Sequence, residues 1–276
     1  MILIAESGST KTDWVLLDKK EVVKRQQTSG INPFHQNITS IIKNIASLNE
    51  FDNVKHVFFY GAGCATNETK EKVKGALLKV FPDSACEINS DVLAAARSLC
   101  GTQKGIACIL GTGSNSCLYN GSEIEYNVRP LGYILGDEGS GAVMGKKFIA
   151  DLLKGLTPEE IKSAFYEKYD LKYSEIIHKI YTEESPSKFL AQFTTFLSEH
   201  INNKYITNLV LISFIEFFER NIKQYENHAK LPIHFIGSIA YHFKNELEQA
   251  AKNVKLTIGK VEISPLEGLI SFHTEK

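Results

Sequence analysis

Short apolar runs separated by polar turns fill the first third of the chain. Ile2–Ala5 and Trp14–Leu17 read as strands flanking the turn ESGSTKT, and Glu21–Gln26 reads as a third strand. Ile38, Ile41, Ile42 and Ile45 then recur at helical spacing, which predicts a helix over roughly 34–48. The dense apolar run 54–60 predicts a buried strand, and a helix over 68–80 follows it, with Pro82 just beyond. Strands joined by crossover helices pair in parallel, so the expected class is α/β.

At residue 105 the opening pattern returns. GIACILGTGSNSCLYNG again reads strand, small polar turn, strand, and a further short strand follows. Two such units suggest a duplicated domain. From 139 to about 228 the pattern is mostly helical. Ile233–Ile236 then reads as a buried strand running into Gly237-Ser238 and a helix, followed by a strand at 255–258 and a last helix from Ser264-Pro265. Trp14 and the stretch 214–218 are most simply core.

Charge adds little to this picture. Thirty-one Lys and Arg oppose 32 Asp and Glu, so there is no footprint for nucleic acid or an anionic membrane. No segment approaches the ~20 apolar residues of a membrane span. The start MILIAESG has no basic n-region. Five cysteines stand at no metal-ligand spacing, which suggests reduced thiols. The expectation is a cytoplasmic globular protein, with a homodimer left open.

Five stretches carry candidate chemistry. ESGSTKT fits neither GxxxxGK[ST] nor GxGxxG. Yet a tight turn of Ser7, Gly8, Ser9, Thr10 and Thr12 groups backbone N–H groups with hydroxyls, a combination that suits phosphate, and Lys11 adds charge. Glu6, at the strand end, is placed to orient Mg²⁺ through water. In LGTGSNS the glycines at 111 and 113 let a ligand approach the backbone around Thr112 and Ser114. At NSDVLAAA either Ser90 or Asp91 begins a helix; an N-cap is the commoner use of Asp there, a general base the alternative. RPLGYILGDEGSGAVMG holds five glycines, which weaken a helix unless something packs or binds closely. FIGSIAYHF offers a strand-to-helix turn with a flat backbone surface.

In this order AESGSTKTDW, NSDVLAAA, ILGTGSNS, LGYILGDEGS and FIGSIAYHF resemble the acetate and sugar kinase/Hsp70/actin superfamily. Within it they resemble the BadF/BadG/BcrA/BcrD-type ATPase and N-acetylglucosamine kinase family. The resemblance covers most of the chain and implies duplicated actin-like (ribonuclease H-like) α/β domains with an interdomain cleft for ATP and Mg²⁺. The domains expected are 1–104 and 105–261, with the C-terminal helix, 262–276, returning to the first. The resemblance further implies that Ser7–Thr12 and Gly111–Ser114 hold the phosphates. Gly237 and Ser238 would meet adenosine, and Asp91 would be the catalytic base. Asn32, Asp91, Ser114, Asn115 and Asp137 would face the sugar.

The chain departs from that pattern in places. Many relatives have Asp where Glu6 stands and Gly where Ser7 stands, and some have Trp where Leu131 stands; the chain is also shorter than many. The implied activity is ATP-dependent phosphorylation of an amino sugar, N-acetylglucosamine at its 6-hydroxyl. Three alternatives remain. One is an N-acetylmuramic acid kinase; another is a dehydratase-activating ATPase that would hold an iron–sulfur cluster through cysteines. The third is a non-catalytic sugar- or nucleotide-sensing module; the absence of a DNA-binding extension or basic patch argues against a repressor-type member, and Asp91 at the cleft would argue for chemistry.

Overall fold

The computed structural model describes residues 1–8, 10–183 and 185–275, which form two compact units. One comprises 1–102, 121–123 and 265–276; the other comprises 103–120 and 124–264.

In the first unit β1 (Ile2–Ser7), β2 (Lys11–Asp18) and β3 (Glu21–Ser29) form an antiparallel meander. Strands β4 (His56–Gly61) and β5 (Ala85–Ser90) add in parallel on the other side of β1, giving the order β3-β2-β1-β4-β5. Helices α1 (Ile38–Ile45) and α2 (Asn67–Val80) make the crossover connections, and α3 (Asp91–Cys100) follows β5. Alternation along the strands sorts the core. Leu3, Ala5, Trp14 and Leu16 pack with Ile41, Phe59, Val73 and Leu77, whereas Ile4, Val15 and Leu17 pack with Tyr60, Ala94 and Leu269 of the C-terminal helix.

The expected helix over 34–48 is shorter. Asn37 accepts the Ser40 N–H at 2.9 Å and starts α1 only at Ile38, and Ala46–Glu50 winds into a 3₁₀ turn. Asn32 and Pro33 lie in the turn before it, closed by the Gln36 N–H on the Asn32 carbonyl at 3.1 Å.

The second unit repeats the plan. Strands β6 (Gly105–Leu110), β7 (Ser114–Tyr119) and β8 (Ile124–Tyr126) form the meander, and β9 (Ile233–Ile236) and β10 (Ile258–Glu262) add in parallel, in the order β10-β9-β6-β7-β8. The duplication expected from the repeated turn is therefore present. Between β8 and β9 run α4 (Gly132–Leu135), α5 (Gly141–Leu153), α6 (Glu159–Lys168), α7 (Tyr173–Thr182), α8 (Pro186–Ala191), α9 (Thr194–Glu199) and α10 (Lys204–Arg220). Helices α11 (Ser238–His242) and α12 (Lys244–Asn253) lead into β10, and α13 (Leu266–Thr274) ends the chain. Phe148, Phe165, Phe193, Phe196, Phe214 and Phe217 dominate this core.

The last strand lies later than the expected 255–258. Lys255 adopts φ 61°, a left-handed turn that ends the α12 segment, and pairing begins at Ile258. The glycine-rich stretch at 132–145 also has its reason. A methyl at Gly145 would lie 2.0 Å from the Leu190 carbonyl oxygen, so α5 and α8 meet backbone to backbone. Among the described residues no helix is long and apolar enough to cross a membrane.

Candidate functional site

The C-terminal ends of the parallel strands gather the predicted residues of the first unit. Ser7 is in register with Gly61, and Gly61 with Ser90, so the hairpin turn, the Gly61–Cys64 turn and the start of α3 share one sheet edge. Open α/β sheets bind ligands at such edges.

Strand alternation divides the opening turn. Ser7 and Thr12 are directly paired across β1 and β2, on the core face that also carries Trp14, and both are wholly buried. Their hydroxyls lie 2.8 Å apart. Ser7 Oγ receives the Ile31 N–H at 2.9 Å and reaches the Ile31 carbonyl at 3.1 Å, and Thr12 donates to the Ser29 carbonyl at 3.2 Å. These two hydroxyls, expected to face phosphate, point inward and pin the 29–31 segment, and with it Asn32, to the hairpin. Gly8, whose N–H meets the Lys11 carbonyl at 3.0 Å, closes the turn, and Thr10 and Lys11 are exposed. Ser9 lies outside the described residues.

The other face of the hairpin carries acid. Glu6 stands directly opposite Asp13, which is held by Lys11 at 2.9 Å and by Gln27 at 2.5 Å. Burial, then the charges of Asp13 and Asp91, push the Glu6 carboxyl up to about 7, against the pull of Lys11. Like charges opposed across strands are unfavourable. This set therefore fits a divalent cation, whose arrival would remove the repulsion. Among the described residues no three His, Cys, Asp or Glu side chains converge to enclose a metal. Contact through one or two carboxylates and water, the usual manner of Mg²⁺, is what the residues allow.

At α3 the structure decides between Ser90 and Asp91. Ser90 is the N-cap, its Oγ accepting the Leu93 N–H at 3.3 Å. Asp91 occupies the first helical position and takes the Val92 N–H at 2.8 Å on one carboxylate oxygen. Burial raises its pKa, opposed by the backbone N–H groups of Val92 and of Asp91 itself. No side chain donates to it among the described residues. Asn32 sits beside Gly63, where a methyl would lie 2.3 Å from its Oδ1. That oxygen accepts the Phe34 N–H at 3.0 Å, which directs the amide nitrogen away from its own turn.

The second unit builds its counterpart on the turn between β6 and β7. The Gly111 N–H meets the Gly113 carbonyl at 3.0 Å, and the first N–H groups of α5 satisfy the turn's carbonyls: Gly141 to Gly111 at 2.9 Å and Ala142 to Thr112 at 3.0 Å. Ser140 caps α5 through the Val143 N–H at 3.2 Å. Asp137, at φ 55°, lays its carboxylate on Gly113, where a methyl would lie 2.9 Å from Oδ2. It accepts the N–H groups of Ser114 and Gly132, while burial, the dominant influence, raises its pKa. Gly237, at φ 119°, brings the start of α11 against the same turn; a methyl there would lie 2.3 Å from the Leu110 carbonyl oxygen. Ser238 beside it is exposed. Gly111–Ser114, Asn115, Asp137 and Gly237-Ser238 are therefore one cluster.

The chain as a whole has a close counterpart among solved structures. A candidate N-acetylglucosamine kinase from Porphyromonas gingivalis is 46% identical, with a TM-score of 0.96 and 100% of this chain and 99% of that one covered. The chain belongs to the BadF/BadG-type N-acetylglucosamine kinase family. A second candidate N-acetylglucosamine kinase, from Chromobacterium violaceum, shares the fold at 13% identity and a TM-score of 0.78, covering 98% of each chain. A ROK family glucokinase from Streptomyces griseus, solved with glucose and AMPPNP, does so at 13% identity and a TM-score of 0.57, over 98% of this chain and 97% of that one. No protein-family model and no curated protein matches the sequence.

Two residues of this fold carry no motif in the sequence. Asp13 lies outside the polar turn, although its cross-strand position opposite Glu6 follows from counting outward from it. Asn127, which binds Asn115, has no motif to mark it. Of the cysteines, Cys64, Cys100, Cys108 and Cys117 are buried and Cys86 is half-buried. Burial pushes the Cys64 thiol up to about 12.

Proposed function

We propose that the chain transfers the γ-phosphoryl group of ATP to an amino sugar, N-acetylglucosamine at its 6-hydroxyl. The observation that carries this reading is the state of Asp91: Ser90 takes over the capping, and Asp91 is left half-buried at the strand edge with no side-chain partner among the described residues. A carboxylate so placed suits proton acceptance from a hydroxyl at the moment of phosphoryl transfer. Membership of the family with a 46% identical candidate N-acetylglucosamine kinase supports the sugar class.

The other residues take roles consistent with their geometry. Gly8, Thr10 and Lys11 of the first turn and Gly111–Ser114 of the second are assigned to the phosphates, and Gly237 with Ser238 to the adenosine. Asn32, Asn115 and Asp137 are assigned to the sugar. Glu6, with Asp13 behind it, would hold Mg²⁺ largely through water, and the ion when bound would neutralise phosphate charge. Holding both substrates in line is the larger part of catalysis in such transfers.

The test is ADP release with MgATP and a panel of amino sugars, including 6-deoxy-N-acetylglucosamine. Release with N-acetylglucosamine and none with the 6-deoxy analogue is expected. Equal release without sugar contradicts the assignment.

A further inference from the structure

Asn115 is held by two hydrogen bonds that both end on its oxygen. The Ser116 N–H reaches Asn115 Oδ1 at 2.9 Å, and Asn127 Nδ2 reaches it at 2.9 Å. Which end of each amide is nitrogen follows from the partners. Asn127 faces the backbone carbonyls of Ser116 at 2.5 Å and Val128 at 3.1 Å, and a carbonyl only accepts. Its amide nitrogen must therefore lie on that side, its two hydrogens shared among these carbonyls and the Asn115 oxygen. A backbone N–H only donates, so the Ser116 bond places the Asn115 oxygen inward independently. The Asn115 amide nitrogen is left pointing away from both, with no protein partner among the described residues.

Asn127 itself is well anchored. It follows β8, is half-buried, and its segment is tied down by the Val128 N–H on the Tyr225 hydroxyl at 3.3 Å. That hydroxyl also meets Ser116 Oγ at 2.7 Å in a buried contact. The network fixes the end of β7 on which Ser114 and Asn115 stand.

We infer that Asn127 is a positioning residue that locks the Asn115 carboxamide as a hydrogen-bond donor toward the substrate. The substrate group opposite Asn115 is then a lone-pair acceptor, a hydroxyl or acetamido oxygen, and never a group that must donate to it. This rests on the sugar-kinase reading for the identity of the ligand, but the lock itself does not.

Two arms test it. In ligand-free protein, Asn127→Asp places an ionised carboxylate against two carbonyls and the Asn115 oxygen. Its melting temperature is expected to fall below that of the wild type at pH 8, and the gap to narrow toward pH 5, where the protonated carboxyl donates again. A gap independent of pH overturns the lock. In the second arm, Asn115→Asp keeps both inward bonds but presents an acceptor outward. It is expected to raise the sugar KM about tenfold, the loss of one hydrogen bond, while the ATP KM stays within about twofold. Asn127→Leu raises the sugar KM in the wild-type background and has no further effect on it in Asn115→Ala, since the two act as one unit. Additive effects, or an equal rise in the ATP KM, overturn the positioning role. Should the wild type turn over no amino sugar, the kinase reading fails while the pH arm still decides the lock.

Discussion

Ser90 accepts the Leu93 N–H on its side-chain oxygen and so frees the carboxylate of its neighbour Asp91 from the capping of α3. Two adjacent residues that look interchangeable in the sequence thus differ: Ser90 caps the helix and Asp91 does not. Ser90→Ala is expected to lower stability by about 1 kcal/mol, the usual loss of an N-cap. Asp91→Asn keeps the cap and removes a half-buried charge whose pKa burial raises, so its unfolding free energy should equal or exceed that of the wild type. Urea unfolding of both variants measures the split.

The Glu6–Asp13 pair sets a pH dependence. The Glu6 carboxyl stands at about 7 in the folded protein against 4.5 ordinarily, so folding favours its neutral form. That contribution is complete below pH 4.5 and is lost as pH rises through 7. Relative to Glu6→Gln, the metal-free wild type should therefore lose up to about 3 kcal/mol between pH 4.5 and pH 8. Added Mg²⁺ should recover part of it at pH 8. Parallel unfolding curves across pH, with and without MgCl₂, show the trend or its absence.

Ser7 is predicted to act through the fold. In Ser7→Ala the buried Ile31 N–H loses its acceptor, a loss of about 1–3 kcal/mol. Because that bond anchors the segment leading to Asn32, the sugar KM should rise more than the ATP KM. Steady-state kinetics with each substrate varied in turn distinguish this from a phosphate contact, for which the ATP KM would move first.

Two glycines separate packing from binding. Gly145→Ala forces a methyl onto the Leu190 carbonyl oxygen and should lower the melting temperature by many degrees. Gly111 has no atom within 4 Å of where its methyl would stand, so Gly111→Ala should fold normally and instead raise the ATP KM. Thermal melts and ATP titrations of the pair check both statements.

Much of this was legible beforehand. Short apolar runs around small polar turns, repeated as strand–turn–strand, mark both meanders, and the bounds expected for β9 match Ile233–Ile236. What escaped was the direction of polar side chains near the turns. Ser7 and Thr12 look like ligand groups because hydroxyls are common in phosphate cradles. They share a strand face with Trp14, and that parity, more than their chemistry, sends them inward. The Ser90/Asp91 choice was undecidable from spacing, since either residue caps a helix well. Asn127 was invisible because its role depends on a register formed only when β7 and β8 pair.

The most direct test of the account is sugar-dependent ADP formation by Asp91→Asn with N-acetylglucosamine and MgATP. The rate should fall by about 10²–10⁴-fold, the usual worth of a general base, while ATP binding measured by calorimetry stays near the wild-type value. Near-normal turnover in that variant would contradict the assignment of Asp91 and the mechanism built on it.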